Sequence, residues 1–253
     1  MLTPPFAVHE VEWTPDRLRR FWAYFATSPH IERAYFSSHS GDAVIAFAAR
    51  HAPLVGGARV LDYGCGPGFL LERLLRRGVN AEGLEFSSET LEKATARCGM
   101  YPAFAGITLA ERLPSPLPSG SMDVVFLVEV IEHLLPVEVD ATLADVARLL
   151  RPGGSLVLTT PHDEDIESSR TMCPDCGCVF HPWQHVGSYT TASLLPLLAR
   201  HGIAPVVCRA TTLGGTAAGR TVRRLLAGLQ RVLSRKPAAN QPHLVCVGRK
   251  AAP

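Results

Sequence analysis

From residue 58 onward, short runs of apolar residues alternate with stretches whose apolar residues recur every three to four positions. The runs are ARVLDYG (58–64), AEGLEF (81–86), MDVVFLVEV (122–130), GSLVLTTP (154–161), APVVCRATTL (204–213) and HLVCVGRK (243–250). Helical spacing covers 69–77, 88–97, 137–150, 191–201 and 219–234. Such runs suit strands covered on both faces, and strands separated by helices assemble into a parallel sheet with a helical layer on each side. The pattern predicts an α/β chain with a doubly wound, mostly parallel sheet. Residues 12–50 add helical spacing dense in aromatics from Phe21 to Phe25, ended by Pro53 and Gly56-Gly57. We therefore expect an N-terminal helical cap over 1–56 and a domain over 57–253. Residues 161–189 carry neither period and read as an insertion in that domain.

Composition changes this picture little. Hydrophobic residues make up 47% and charged residues 19%, which is globular and not disordered. A formal charge of +2 is no argument for nucleic acid. The start, MLTPPFAVHEVEW, lacks the basic opening and apolar core of a secretory signal, and no stretch reaches the ~18 apolar residues of a membrane span. A cytoplasmic protein without a transmembrane segment is expected. Seven cysteines, three of them within 173–178, make a poor disulfide framework and a better metal or thiol cluster. Cys65, Cys98, Cys208 and Cys246 read as small buried hydrophobes.

The chemistry begins after the first run. Asp62 precedes Gly64, Cys65, Gly66, Pro67 and Gly68, and a helix follows. Glycines there let the backbone turn tightly and approach a ligand that a Cβ would block. A dinucleotide fingerprint would place its third glycine at 69, where this chain has Phe69, so nicotinamide and flavin cofactors are disfavoured. The acid opening the loop suits an ammonium-bearing ligand better than a pyrophosphate. Glu85 ends the next run, where open α/β sheets place an acid for ribose hydroxyls. The expected ligand is a nucleoside without phosphates.

With VLDYGCGPG, GLEFS, MDVVFLVEVIEHL and LRPGGSLVLTTPH in this order and spacing, the chain resembles the class I S-adenosylmethionine-dependent methyltransferases, which share a Rossmann-like fold. The likeness extends to the ubiquinone-pathway O-methyltransferases. It implies that Gly64, Cys65, Gly66 and Gly68 line the methionine part of S-adenosylmethionine and that Asp62 acts near its amino group. Glu85, followed by Phe86, would take the ribose hydroxyls, and Glu129 would sit beside the cofactor. Leu109 stands where many relatives carry an Asp for the adenine amino group, leaving Glu111 or a backbone carbonyl as the substitute.

Two groups have metal-ligand character. EVIEHL brings Glu129, Glu132 and His133 around one strand-to-helix turn, a set suited to Mg²⁺ or Mn²⁺ with positions open for a substrate hydroxyl. The ubiquinone-pathway enzymes carry a similar run, as do the small-RNA 3′-terminal 2′-O-methyltransferases, whose later histidine resembles His185. Such an ion would acidify and orient an acceptor hydroxyl, with His133, Glu132 and His185 as catalytic candidates. The alternative makes His133 a general base without metal. The second group, CPDCGCVFHPWQH, offers Cys173, Cys176, His181 and His185 at zinc-knuckle spacing, with Cys178 able to replace a histidine. If His185 joins the first group, the zinc set becomes Cys173, Cys176, Cys178 and His181.

The expected acceptor is a small-molecule hydroxyl, on a metabolite, a lipid-linked sugar or a glycan. It would be enclosed by Trp13, Phe21, Trp22, Tyr24 and Phe25 together with Trp183 and Tyr189. The competing readings are a metal-dependent 2′-O-methyltransferase of RNA 3′ ends and a zinc-stabilised binding module without activity. The basic amphipathic stretch 219–236 packs on the sheet or touches anionic membrane or RNA phosphate.

Overall fold

Periodicity places the strands, and the computed structural model, which describes residues 6–28, 30–31, 34–213 and 242–252, shows how they pair. In chain order they are β1 (His9–Glu10), α1 (Pro15–Thr27), α2 (Phe36–Ala48), β2 (Val60–Tyr63), α3 (Phe69–Leu75), β3 (Ala81–Glu85), α4 (Ser88–Cys98) and β4 (Phe104–Leu109). Next come β5 (Met122–Val128), α5 (Pro136–Leu149), β6 (Leu150–Pro161), β7 (Thr171–Met172), β8 (Cys178–Phe180), α6 (Thr191–Arg200), β9 (Ile203–Thr211) and β10 (His243–Lys250). The expected helix 219–236 lies outside the described residues.

Seven strands form one sheet in the order β4-β3-β2-β5-β6-β10-β9. Strands β4, β3, β2, β5 and β6 run parallel, and β10 is antiparallel to both β6 and β9. The period of two along each strand divides the core between two faces. Val124, Phe126 and Val128 join Val44, Phe47, Leu70 and Leu74 from α2 and α3. Val125 and Leu127 join Leu143, Val146, Leu194 and Leu198 from α5 and α6. Helix α2 of the expected cap contributes Val44, Ile45, Phe47 and Ala48 to the first core, whereas the described residues of β1 and α1 join neither cluster.

Local chemistry starts the helices where the pattern puts them. Thr14 caps α1 by accepting from Arg17 N–H, with Pro15 in the first turn, and Ser87 caps α4 by accepting from Thr90 N–H. Two features lacked a sequence signal. Strand β4 is a half-exposed edge interrupted by Gly106 at φ +105°, so it lacks the apolar run of a central strand. The insertion folds into a second sheet, β1-β8-β7, whose strands are two or three residues long. No helix among the described residues is long and apolar enough to cross a membrane.

Candidate active site

The site lies at the carboxyl ends of β2, β3 and β5. Strand β2 is wholly buried, and the chain leaves it through Gly64 (φ +70°), Gly66 (φ +53°) and Gly68 (φ +82°). These are left-handed conformations that a side chain disfavours. At Gly64 an added Cβ would stand 3.0 Å from Val130. At Gly68 a Cβ would press on Ala94 and Cys98 at 3.2 Å, so a glycine there permits the start of α3 to pack on α4. Cys65 is buried beneath the loop, against Gly83. Of the other cysteines expected inside, Cys98 and Cys246 are buried and Cys208 is half-buried; all seven thiols are free.

Glu85 holds the loop from the neighbouring strand. Its Oε2 accepts from Gly66 N–H at 2.8 Å, and its Oε1 accepts from Phe86 and Ser87 N–H at 2.8 and 3.1 Å. Burial raises its pKa, and those three bonds oppose the rise. Asp62 is 3% exposed, its Oδ2 has no partner, and its pKa is pushed up to about 7, first by burial and then by the Glu85 charge. A buried carboxylate lacking a cation fits a ligand that brings a positive charge. Phe86 is 43% exposed beside this acid, its ring 5.8 Å from that of Tyr63. Leu109 and Glu111 are exposed where β4 ends, and Ala110 N–H donates to Glu85 O at 2.8 Å.

Beyond β5 the expected divalent set is rearranged. Glu129, at φ +53°, turns to Thr159 Oγ1 (2.7 Å) and His243 Nε2 (3.3 Å) and does not converge with Glu132 and His133. His185 takes its place, so the converging groups are Glu132, His133 and His185. His243 was missed by sequence reading because it looks like the first residue of a strand; β10 runs antiparallel and delivers it to the active end of the sheet. Glu132 is 1% exposed; its Oε2 accepts from Thr160 Oγ1 at 3.0 Å, and its Oε1 has no hydrogen bond and lies 3.9 Å from His133 Nε2. His133 Nδ1 is likewise buried and unpartnered. Burial lowers the His133 pKa to about 3, keeping the ring neutral, while burial and the Glu129 charge raise that of Glu132.

The loop carrying His185 is seated by main-chain bonds. Val186 and Gly187 N–H donate to Glu132 O at 2.8 and 3.0 Å. Gln184, fully buried at φ +58°, donates from Nε2 to His133 O (2.7 Å) and accepts from Trp22 Nε1 (2.9 Å). That bridge sets Trp22 edge-on to His133 at 4.8 Å and brings α1 over the site. Phe25 in turn meets Trp183 at 5.5 Å, so the two expected lid segments touch. Tyr189 donates to Ile131 O at 3.3 Å. Tyr24 remains exposed.

Glu164, a residue without a sequence signal, completes the cluster. Its carboxylate meets His185 Nδ1 at 2.5 Å and His181 Nε2 at 3.6 Å. His181 Nδ1 accepts the N–H groups of Trp183 and His185, so its proton resides on Nε2, facing Glu164. His181 thus faces Glu164 and His185. Among the described residues no three-ligand group joins Cys173, Cys176 or Cys178 to His181. A cavity of about 200 Å³ reaches His181 and His185 from the side of the small sheet, with Arg170 on its wall.

Comparison with known proteins agrees with this geometry. Residues 61–158 match the family described as a methyltransferase domain. Among curated relatives, the ubiquinone biosynthesis O-methyltransferase of Ralstonia nicotianae is 36% identical over 117 residues, 44% of this chain and 46% of that one. The same-named enzyme of Burkholderia vietnamiensis is 33% identical over 159 residues, 60% of this chain and 62% of that one. The chain thus spans less than two thirds of the length of these relatives. In fold, it is similar to the 1,6-didemethyltoxoflavin-N1-methyltransferase of Burkholderia thailandensis, solved with S-adenosylhomocysteine. That likeness has a TM-score of 0.65 at 17% identity, covering 96% of this chain and 93% of that one.

Proposed function

We propose that this domain transfers the methyl group of S-adenosylmethionine to a hydroxyl of a small-molecule acceptor, with a divalent ion held by Glu132, His133 and His185. The observation that carries the metal is the convergence of these three groups, with Glu132 Oε1 buried, without a hydrogen bond and 3.9 Å from His133 Nε2. Buried polar atoms are normally paired, and an orphaned carboxylate oxygen beside two histidines is what an ion would satisfy. One carboxylate and two imidazoles suit Mn²⁺ or Zn²⁺ better than Mg²⁺, which prefers oxygen. The expectation of Mg²⁺ rested on Glu129, which the fold directs elsewhere.

A bound ion would supply Lewis acidity toward the acceptor hydroxyl. The chain's own residues do the rest. Asp62 and Glu85 orient the cofactor at the ends of β2 and β3. His133, neutral and buried, offers a lone pair for ligation. Glu164 accepts from His185 Nδ1, leaving Nε2 as the ligating atom, the usual arrangement of a carboxylate behind a metal-bound histidine. Trp22, Phe25 and Trp183 exclude water and favour a ring-bearing acceptor. The acceptor oxygen attacks the methyl carbon as its bond to sulfur breaks. The products are a methyl ether and S-adenosylhomocysteine, with the hydroxyl proton released to solvent.

The O-methyltransferase names of the relatives support oxygen as the acceptor and a small molecule over an RNA end. The test measures methyl transfer to phenolic and catecholic probes after chelation and after return of Mn²⁺, Zn²⁺ or Mg²⁺, with cofactor binding followed by calorimetry. Glu132→Gln is expected to bind cofactor as before and to lose about 100-fold in turnover, the upper end of what disturbing a metal shell costs. Full activity in the chelated protein overturns the metal. Absence of cofactor binding overturns methyl transfer itself.

A further inference from the structure

The site leaves three cysteines of the insertion unused. They surround the turn of the β7–β8 hairpin, residues 173–178, CPDCGC. Cys173 N–H donates to Cys178 O at 2.9 Å, and Gly177 N–H donates to Cys173 O at 2.9 Å, with Gly177 at φ +77°. A turn closed by these backbone bonds gathers its cysteines at one end of the hairpin, the C-x2-C arrangement of thiolate metal sites.

The strand register supplies a fourth group. Thr171 stands opposite Phe180 and Met172 opposite Val179, which sets Cys173 opposite Cys178. On the other edge β1 runs parallel to β8, with His9 opposite Cys178. Residues opposite one another on neighbouring strands carry their side chains on the same face, with Cβ atoms about 5 Å apart. Cys173, Cys178 and His9 therefore form one row across the small sheet, with Cys176 in the turn beside it. His9 Nδ1 lies 3.0 Å from the Ala7 carbonyl oxygen, an acceptor, so Nδ1 carries the proton and Nε2 keeps its lone pair.

We propose that Cys173, Cys176, Cys178 and His9 are the ligands of a structural zinc ion that clasps the N-terminal strand to the insertion. Three thiolates and one imidazole make a closed tetrahedral set. Among the described residues no three of these ligand atoms lie within 4.8 Å of one another, so the site closes by side-chain rotation over a backbone already in register. The expected ligand His181 is committed to Glu164 and to two backbone N–H groups. Strands of two, three and two residues cannot bury a core, and both residues of β1 and of β7 are exposed. Zinc would supply the ordering energy such a sheet lacks. From β1 the chain enters α1, whose Trp22 covers His133, so the clasp anchors the lid.

This inference does not depend on methyl transfer. The test is cobalt(II) titration of the full chain after metal removal. A thiolate-to-cobalt charge-transfer band with intense tetrahedral d–d absorption is expected, and the Glu132–His133–His185 group, having no sulfur, contributes no thiolate band. His9→Ala, on an exposed strand, should weaken cobalt binding at least about tenfold and alter the d–d absorption. Even an outer-shell change costs about 10–100-fold. His181→Ala should leave the thiolate band unchanged. No thiolate band in the wild-type chain, or weakening by His181→Ala and not by His9→Ala, overturns the assignment.

Discussion

Asp62 and Glu85 sit on adjacent strand ends, both buried, and no cation of the described chain enters the balance at Asp62. Its acid is held up to about 7 chiefly by burial, so the folded chain binds more proton there than the unfolded chain between the ordinary 3.8 and about 7. This group's contribution to stability therefore falls as pH rises through that window. A cofactor bearing ammonium and sulfonium charge reverses the balance by favouring the carboxylate. Its affinity should rise with pH up to about 7 and level off above, with proton release on binding below that point. Calorimetry in buffers of different ionisation enthalpy reads the release directly. A dissociation constant indifferent to pH, with no proton released, would show that Asp62 does not face the cofactor's charge.

At the scale of elements, the segment 181–187 joins three parts of the chain through Gln184. It bonds to the 3₁₀ turn after β5 at His133 O and to α1 at Trp22. Gln184→Leu keeps the volume and strands both partners, at a cost of about 1–3 kcal/mol where they remain buried. The expected signature is a raised KM for the acceptor with cofactor affinity unchanged, because the glycine loop lies on other strands. An equal loss of cofactor binding would mean that the bridge supports the whole domain and not the lid. The spacing of CPDCGCVFHPWQH suggests one tetrahedral site, but the chain turns between Phe180 and His181, sending the cysteines to the small sheet and the histidines to Glu164.

At the scale of the molecule, the sheet separates two cores and presents one active edge. Leu143 on α5 is fully buried in the second core, whereas Val137 on the same helix is 74% exposed. Leu143→Ala should cost about 2–5 kcal/mol in urea unfolding. Val137→Ala should shift stability by less than about 0.5 kcal/mol. Equal effects would contradict the arrangement of α5 against the sheet. The seven-stranded order also places the glycine loop on β2 next to the Glu132–His133 turn after β5, although about 60 residues separate them in sequence.

What the sequence determined by itself was everything carried by local period and local turn chemistry. The doubly wound α/β class, the central strands, the glycine loop with Asp62 and Glu85, and the acid–histidine turn at Glu132 and His133 were all legible, because each is written within a dozen neighbouring residues. The tertiary structure alone decided which distant groups meet. His185 replaced Glu129 because Glu129 is drawn to Thr159 and His243, the latter brought back by an antiparallel final strand. Glu164 had no motif because one carboxylate in a loop has no period. His9 stands 169 positions from Cys178 and meets it only through strand pairing, a long-range hydrogen-bond register that no spacing along the chain encodes.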